Sequence, residues 1–458
     1  LIESAPSLNR KPLSNPVPDN SPHKPDRKLL MLAYCCHPAG TMEQRNGWHR
    51  AVLAAQAGFD VTVLYCPSST DLNDSLLTTQ LPEELRQSIQ FEPIRLTKSQ
   101  QRWHDFEPTF YAAYKIWHRF AFERAEELHR RAPFAMSHTV TLCGFREPGF
   151  LWRLGIPHIW GPLGGTHVYP LKFLSLLGWK DRVRELSRSC LNWLQLYGTP
   201  RVRQASRGST AVIAATTAAQ STFKKSFGVP ILRELETGIE SVRAIPRPIR
   251  HPNEPLKILW AGRLRGWKAL PLLLYSLARL PNDKSFQLRV LGDGSCLPQW
   301  KGLALHLGIA DKIEWVSWPT YTETLPHYDW ADVFAFTSLR DTSGTGLLEA
   351  LAAGCPIISV SHQGAADIVD QTSGILVPVK NQEVTVQGFA DAITSLQRSP
   401  ELWKQLSDGA LERAKQFRWD TRLDWTRSLY ENALTEKFCV LDDHINRKSE
   451  LPTRNVLL

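Results

Sequence analysis

No pair of cysteines in this chain has Cys-x-x-Cys spacing, although eight are present: Cys35, Cys36, Cys66, Cys143, Cys190, Cys296, Cys355 and Cys439. Most stand in apolar runs, as small core residues do, so a reduced cytoplasmic protein is expected rather than a disulfide framework. No apolar run approaches the ~20 residues that cross a bilayer as a helix. No signal peptide is visible; the sequence opens on Leu1, which leaves a start and a short signal upstream open. No His/Cys cluster has metal-ligand spacing and no Asp-x-Asp follows a strand pattern, so no metal is expected. A full Gly-x-Gly-x-x-Gly turn with a following acid is missing, which argues against a dinucleotide site. No internal repeat and no RNA- or DNA-binding signature appears, so nucleic acid is not an expected partner.

What is present is apolar material enough for two or three cores: 458 residues, 43% of them hydrophobic. Trp117, Trp152, Trp160 and Trp260 lie in apolar settings and are assigned to cores. The formal charge of +9 favours anionic partners: phosphorylated ligands, lipid phosphates or a membrane surface.

Strand patterns alternate with helical ones, which predicts α/β architecture with parallel sheets covered on both faces. In the first half the predicted strands are Lys28–Tyr34, Asp60–Tyr65, Phe134–His138, Pro157–Trp160 and Ala211–Ala215. Helices are expected at Asn46–Ala57 and Pro108–Arg131, with Cys35–Arg45 as a loop. Four prolines between Glu240 and Pro255 mark a linker. Alternation restarts with Leu256–Ala261, Gln287–Leu291, Ile313–Val316, Val333–Phe336, Pro356–Val360 and Gly374–Val377. The expected organisation is a disordered segment 1–27, a Rossmann-like domain 28–239, the linker 240–255 and a second Rossmann-like domain 256–417. A C-terminal helix 418–436 packs back on the first domain, and a loose tail 437–458 follows. In open sheets of this kind ligands bind at the carboxyl ends of the strands, here facing a central cleft.

The most informative run is Arg340-Asp341-Thr-Ser-Gly344-Thr345-Gly346-Leu-Leu-Glu349, held between two apolar strands. Asp341 stands at a strand's carboxyl end. Gly344, Thr345 and Gly346 open a short helix whose free N–H groups suit an anion. Glu349 lies one turn in, on a helix otherwise made of Leu, Ala and Gly, and a carboxylate there needs a partner or a ligand. This run resembles the Glu-x7-Glu segment of retaining GT-B glycosyltransferases, specifically glycosyltransferase family four. The resemblance implies that Asp341, in place of the usual Glu, contacts the donor sugar and that Glu349 binds the nucleotide ribose.

The resemblance extends to Gly262-Arg263-x4-Lys268, where it implies that Arg263 and Lys268 grip the donor diphosphate, and to the Gly292-Asp-Gly294 turn. Trp315-Val-Ser-Trp318 falls where the family meets the nucleotide base. In the first half, Gly40-Thr41-Met-Glu43-x3-Gly47-Trp48 is similar to the family's glycine-rich acceptor loop, which nominates Gly40, Glu43 and Gly47. His138, at the end of its predicted strand, stands where the family places a His facing the anomeric carbon; His37 and His167 are lesser candidates. The stretch 166–207 carries eight cations against Asp181 and Glu185, interleaved with Leu174, Leu176, Leu177, Trp179 and Leu191. It is read either as an interfacial segment for an anionic membrane or as a solvated helix over an ordinary core.

The implied activity is retaining, metal-independent transfer of a hexosyl group from a UDP-, GDP- or ADP-sugar to a glycan, glycolipid or lipid-linked acceptor. His138, Asp341, Arg263 and Lys268 form its catalytic set. No cofactor beyond the donor is implied, and the expected place is the cytoplasm, peripheral to the inner membrane face. The rival readings are a non-catalytic nucleotide-sugar-binding or scaffold protein of the same fold, an NAD-dependent enzyme, and an inverting transferase using His37 or His138 as base. Base, sugar and acceptor stay open.

Overall fold

The computed structural model describes residues 27–67, 73–106, 109–251, 254–281, 285–317 and 321–435. Of the segments expected to be disordered or loose, 1–27 and 437–458, all but Arg27 lie outside these residues, as does Trp318. Strands β1 (Lys28–Ala33), β2 (Asp60–Tyr65), β3 (Ile89–Pro93), β4 (Met136–Thr141), β5 (His158–Leu163), β6 (Ala211–Ala214) and β7 (Ile231–Arg233) form a parallel sheet. Its order is β3-β2-β1-β4-β5-β6-β7. A second parallel sheet follows from β8 (Leu256–Ala261), β9 (Phe286–Leu291), β10 (Ile313–Val316), β11 (Val333–Phe336), β12 (Ile357–Val360) and β13 (Gly374–Val377), in the order β10-β9-β8-β11-β12-β13. These are the two Rossmann-like layers expected from the pattern.

Helices cover both faces, so central strands such as β4, β5, β11 and β12 are buried throughout and read as nearly continuous runs. Two strands carry no such run and escape the pattern: β3 is an edge strand with only Ile89 fully buried, and β7 has three residues. In each sheet the strand order reverses between two neighbours, β1 and β4 in the first and β8 and β11 in the second. Crevices for ligands open at such points.

The chain crosses between the sheets twice, and the crossings are tied together. Ile239 N–H donates to the Phe417 carbonyl at 3.0 Å and Trp419 N–H to the Ile239 carbonyl at 3.1 Å. Arg422, fully buried, pairs with Glu234 at 3.1 Å and donates to the carbonyls of Leu235 and Thr237. The proline-rich segment after Glu240 does not span open space. Arg243, Arg247 and Arg250 fasten it to Asp329 and Asp332 of the second half.

Each half also lends residues to the other's core. Trp425, Leu429, Tyr430 and Ala433 of the final helix, Leu423–Thr435, pack with Leu29, Met31 and Trp48 under the first sheet. In the opposite direction Tyr169, Phe173 and Leu177 join the core of the second sheet, with Leu174 and Leu176 packed against it. This corrects part of the membrane reading of 166–207: those leucines face protein. The seven described cysteines are all free thiols, and no described helix is long and apolar enough to cross a membrane.

Candidate active site

The loops that leave β8 and β11, the two strands at the second sheet's reversal, are laced to each other. The Trp260 indole N–H donates to Thr337 Oγ1 at 2.9 Å, and that hydroxyl donates to the Lys268 carbonyl at 2.7 Å. Leu339 N–H bonds the Trp267 carbonyl. The lacing brings the Lys268 ammonium onto the Asp341 carboxylate as an ion pair. Gln363, held at φ +52°, fixes the Asp341 backbone by accepting its N–H at 2.9 Å.

Gly344 caps the helix Thr345–Ala352, and Thr345 and Gly346 form its first turn. One turn on, Glu349 accepts the Tyr328 hydroxyl at 2.8 Å. Burial raises the Glu349 carboxyl above its usual range; the Tyr328 bond and the Arg45 charge pull it down. Arg263 is exposed at the mouth of the β8 loop. Beside it the Gly292-Asp-Gly294 turn packs backbone to backbone, Leu264 N–H donating to the Asp293 carbonyl. Gly294 lies at φ +156°, and a Cβ there would sit 2.3 Å from the Leu264 carbonyl oxygen, so no side chain fits between the two turns.

The first half closes over these groups. Its first helix begins at Met42, four residues ahead of the expected start, because Thr41 and Gln44 form a capping box. Gly40 precedes the cap. Gly47 lets the helix lie against the loop after β1: a Cβ would be 2.0 Å from the Cys35 carbonyl oxygen. This presents Met42 to the Thr345 hydroxyl and sets Glu43 opposite Arg263, whose charge offsets the rise that burial imposes on the Glu43 carboxyl. Gly164 packs on Thr342 from the same side. The two halves therefore meet through Met42 and Thr345, Glu43 and Arg263, Arg45 and Glu349, and Gly164 and Thr342.

His138 is a correction. Strand β4 does not end there but runs on to Thr141, and His138 sits in register between Met31 and Ile159. The ring is 1% exposed. Its Nε2 lies 2.9 Å from the Gly161 carbonyl and its Nδ1 2.9 Å from the Tyr430 hydroxyl. Nε2 is thus the N–H donor and Nδ1 the acceptor, and burial drives the pKa down to about 3. His138 is a neutral strut holding the helix Leu423–Thr435 to the sheet, with both ring nitrogens engaged by the protein. His37 is also buried, bonded to the Asn73 carbonyl and to Ala39 N–H. His167 lies closer to the acids: burial lowers it to about 4 while Asp341 opposes the drop.

Three groups at the cleft escaped the sequence reading. Glu236, on the crossing, accepts the Ser343 hydroxyl; burial pushes its pKa up to about 7, and Asp341 adds to the rise. Arg45 pairs with Glu240 and bears on Glu349. Arg340, next to Asp341, pairs with the buried Glu185 at 2.9 Å. The available signal was three glutamates, Glu234, Glu236 and Glu240, crowded where the chain crosses between domains. No described group of three or more His, Cys, Asp or Glu could hold a metal ion.

Residues 241–413, which hold the whole β8–β11 side of the cleft, match the family model "Glycosyl transferases group 1". D-inositol 3-phosphate glycosyltransferase of Streptomyces bingchenggensis is 31% identical over 194 residues, 40% of this chain and 42% of that protein. The putative colanic acid biosynthesis glycosyltransferase WcaL of Escherichia coli K12 is 29% identical over 161 residues, 33% of this chain and 40% of that protein. The chain thus spans about two-fifths of the length of the curated relatives it matches. The lipopolysaccharide outer core galactosyltransferase WaaB superposes with a TM-score of 0.60 at 14% identity, covering 90% of this chain and 100% of that one. Anabaena Alr3699/HepE, solved with UDP-glucose, superposes at 0.55 and 15% identity, covering 88% and 99%. These likenesses establish the fold: two Rossmann-like domains in the GT-B arrangement.

Proposed function

We propose that this chain is a retaining glycosyltransferase that moves a sugar from a nucleoside-diphosphate sugar to a glycan or lipid-linked hydroxyl. The reading is supported by the Lys268–Asp341 ion pair and by Glu349, one turn into the following helix and bonded to Tyr328, within the segment that matches the glycosyltransferase family model. Arg263 and Lys268 neutralise the diphosphate, whose negative charge grows as the C1–O bond breaks. Glu349 accepts hydrogen bonds from the ribose, and the N–H groups at Thr345 and Gly346 face the phosphates. Asp341 exchanges its Lys268 partner for the hydroxyls of the donor sugar. The departing phosphate oxygen takes the proton of the acceptor hydroxyl while the acceptor oxygen bonds C1 on the same face, so configuration is retained and no protein base is required. Glu43 and the Gly40–Gly47 loop receive the acceptor, and closure of the halves aligns the two substrates.

The nucleotide base is open, and UDP is the first to test because a structural neighbour was solved with UDP-glucose. Calorimetric titration of the chain with UDP, GDP, ADP, their sugar conjugates and NAD, with and without a chelator, tests the reading. Selective, chelator-insensitive binding of one nucleoside diphosphate is expected. Binding of NAD alone overturns it, and binding of a nucleotide sugar without transfer to any acceptor glycan or lipid leaves a binding protein of the same fold.

A further inference from the structure

The helix Trp179–Gly198 is turned inside out. At about 100° per residue, Trp179, Val183, Leu186, Trp193 and Leu194 fall in one stripe along its length, and that stripe faces outward, each side chain 44–71% exposed. The side turned toward the protein is mainly polar, with Leu196 its buried apolar residue near the C-terminal end. Glu185, 3% exposed, pairs with Arg340. Asn192 accepts from the Arg146 guanidinium at 3.0 Å and donates to the Gly165 carbonyl at 3.0 Å. These partners fix the rotation of the helix, so the outward apolar stripe is a consequence of specific bonds rather than of loose packing. A water-soluble surface helix has the opposite arrangement.

We propose that this stripe is a docking face for an anionic lipid bilayer, with the helix lying flat in the interface. No described residue covers it, and it runs about 22 Å from Trp179 to Leu194. Tryptophans stand near both ends, where an apolar ring with a polar N–H suits the headgroup level. The charge beside it has one sign: Arg182, whose guanidinium donates to the Leu177 and Ser175 carbonyls, borders one edge of the stripe, Lys180 the other, and the helix's acids lie on the opposite side. Cationic margins around an apolar stripe fit anionic headgroups over acyl chains and do not fit a neutral or cationic partner. The same helix grips Arg340, the neighbour of Asp341, so the docked face lies on the back of an element that positions the cleft. The inference stands whether or not the chain transfers sugars, because docking needs no nucleotide.

The test is co-sedimentation of the full chain with vesicles of phosphatidylcholine alone and of phosphatidylcholine mixed equally with phosphatidylglycerol, at low salt. Binding is expected to the mixed vesicles only, and to fall as salt is raised. Trp179→Ser/Trp193→Ser should abolish it with an unchanged urea midpoint. Lys180→Gln, which leaves the apolar stripe intact, should weaken it about fivefold, since a cation near an anionic surface contributes roughly that much. Wild-type chain left in the supernatant, or variants that sediment like wild type, overturns the proposal. So does a dimer in light scattering that the tryptophan variant dissolves, for then a second copy covers the stripe.

Discussion

Glu349→Gln separates binding from stability more cleanly than any other substitution at this site. The amide keeps the shape of the side chain and still accepts the Tyr328 hydroxyl, but it carries no charge. A hydrogen bond to a charged acceptor contributes about 1.5–3 kcal/mol and a neutral one about 0.5–1.5 kcal/mol. With two ribose hydroxyls the loss is about 2–3 kcal/mol, or roughly 30- to 150-fold in Kd. Stability should move the other way. Burial raises the Glu349 pKa, so the folded chain holds this proton more tightly than the unfolded one. The neutral carboxyl is fully accommodated below the unfolded value, and stability is lost as pH rises through the folded value. Removing the charge relieves that cost at neutral pH, so the urea midpoint of the variant should equal or exceed that of wild type. Titration calorimetry with the nucleotide that binds wild type, beside inorganic diphosphate as a control held by Arg263 and Lys268, reads the effect. Diphosphate affinity should not change. An unchanged nucleotide affinity in a folded Glu349→Gln chain would refute the ribose role, and a large drop in midpoint would mean that the carboxylate is a structural partner instead.

Asp341→Asn should divide turnover from nucleotide binding: transfer falls by about a hundredfold or more as sugar positioning is lost, while nucleoside diphosphate binds as well or better because Lys268 loses its anionic partner. Equal losses in kcat and affinity would contradict that division. Acid should unfold the protein early. Burial lowers His118, His138 and His158 to about 3 and His167 to about 4, so each is neutral when folded and takes a proton on unfolding below its usual range. The sign is a loss of stability as pH falls from about 6.5, at up to about 1.4 kcal/mol per pH unit for each histidine. Urea midpoints between pH 7.5 and 5 should record it, with a shallower slope in His138→Phe, and a flat profile would contradict the buried neutral assignments.

The sequence by itself determined the two-sheet architecture. Central strands are nearly continuous apolar runs, and β8 and β11, with the edge strands β10 and β13, begin and end where the pattern put them. Lys268, Asp341 and Glu349 stood out because a charge beside a strand end, or on an apolar helix, has no local reason to be there, and each has a polar partner in the structure. The tertiary structure alone decided matters that depend on what faces what. His138 looked like a strand-end ligand, but strand pairing carried β4 three residues further and Tyr430, nearly three hundred residues away in sequence, took its Nδ1. Leu174, Leu176 and Leu177 looked free for lipid and proved to belong to the other domain's core, while Trp179 and Trp193 remained outside. Glu236 and Glu185 acquired their meaning only from Ser343 and Arg340 across the cleft. Local spacing records which residues share a strand or a helix face, and the partner each face meets is set by contacts between distant segments, which no local pattern carries.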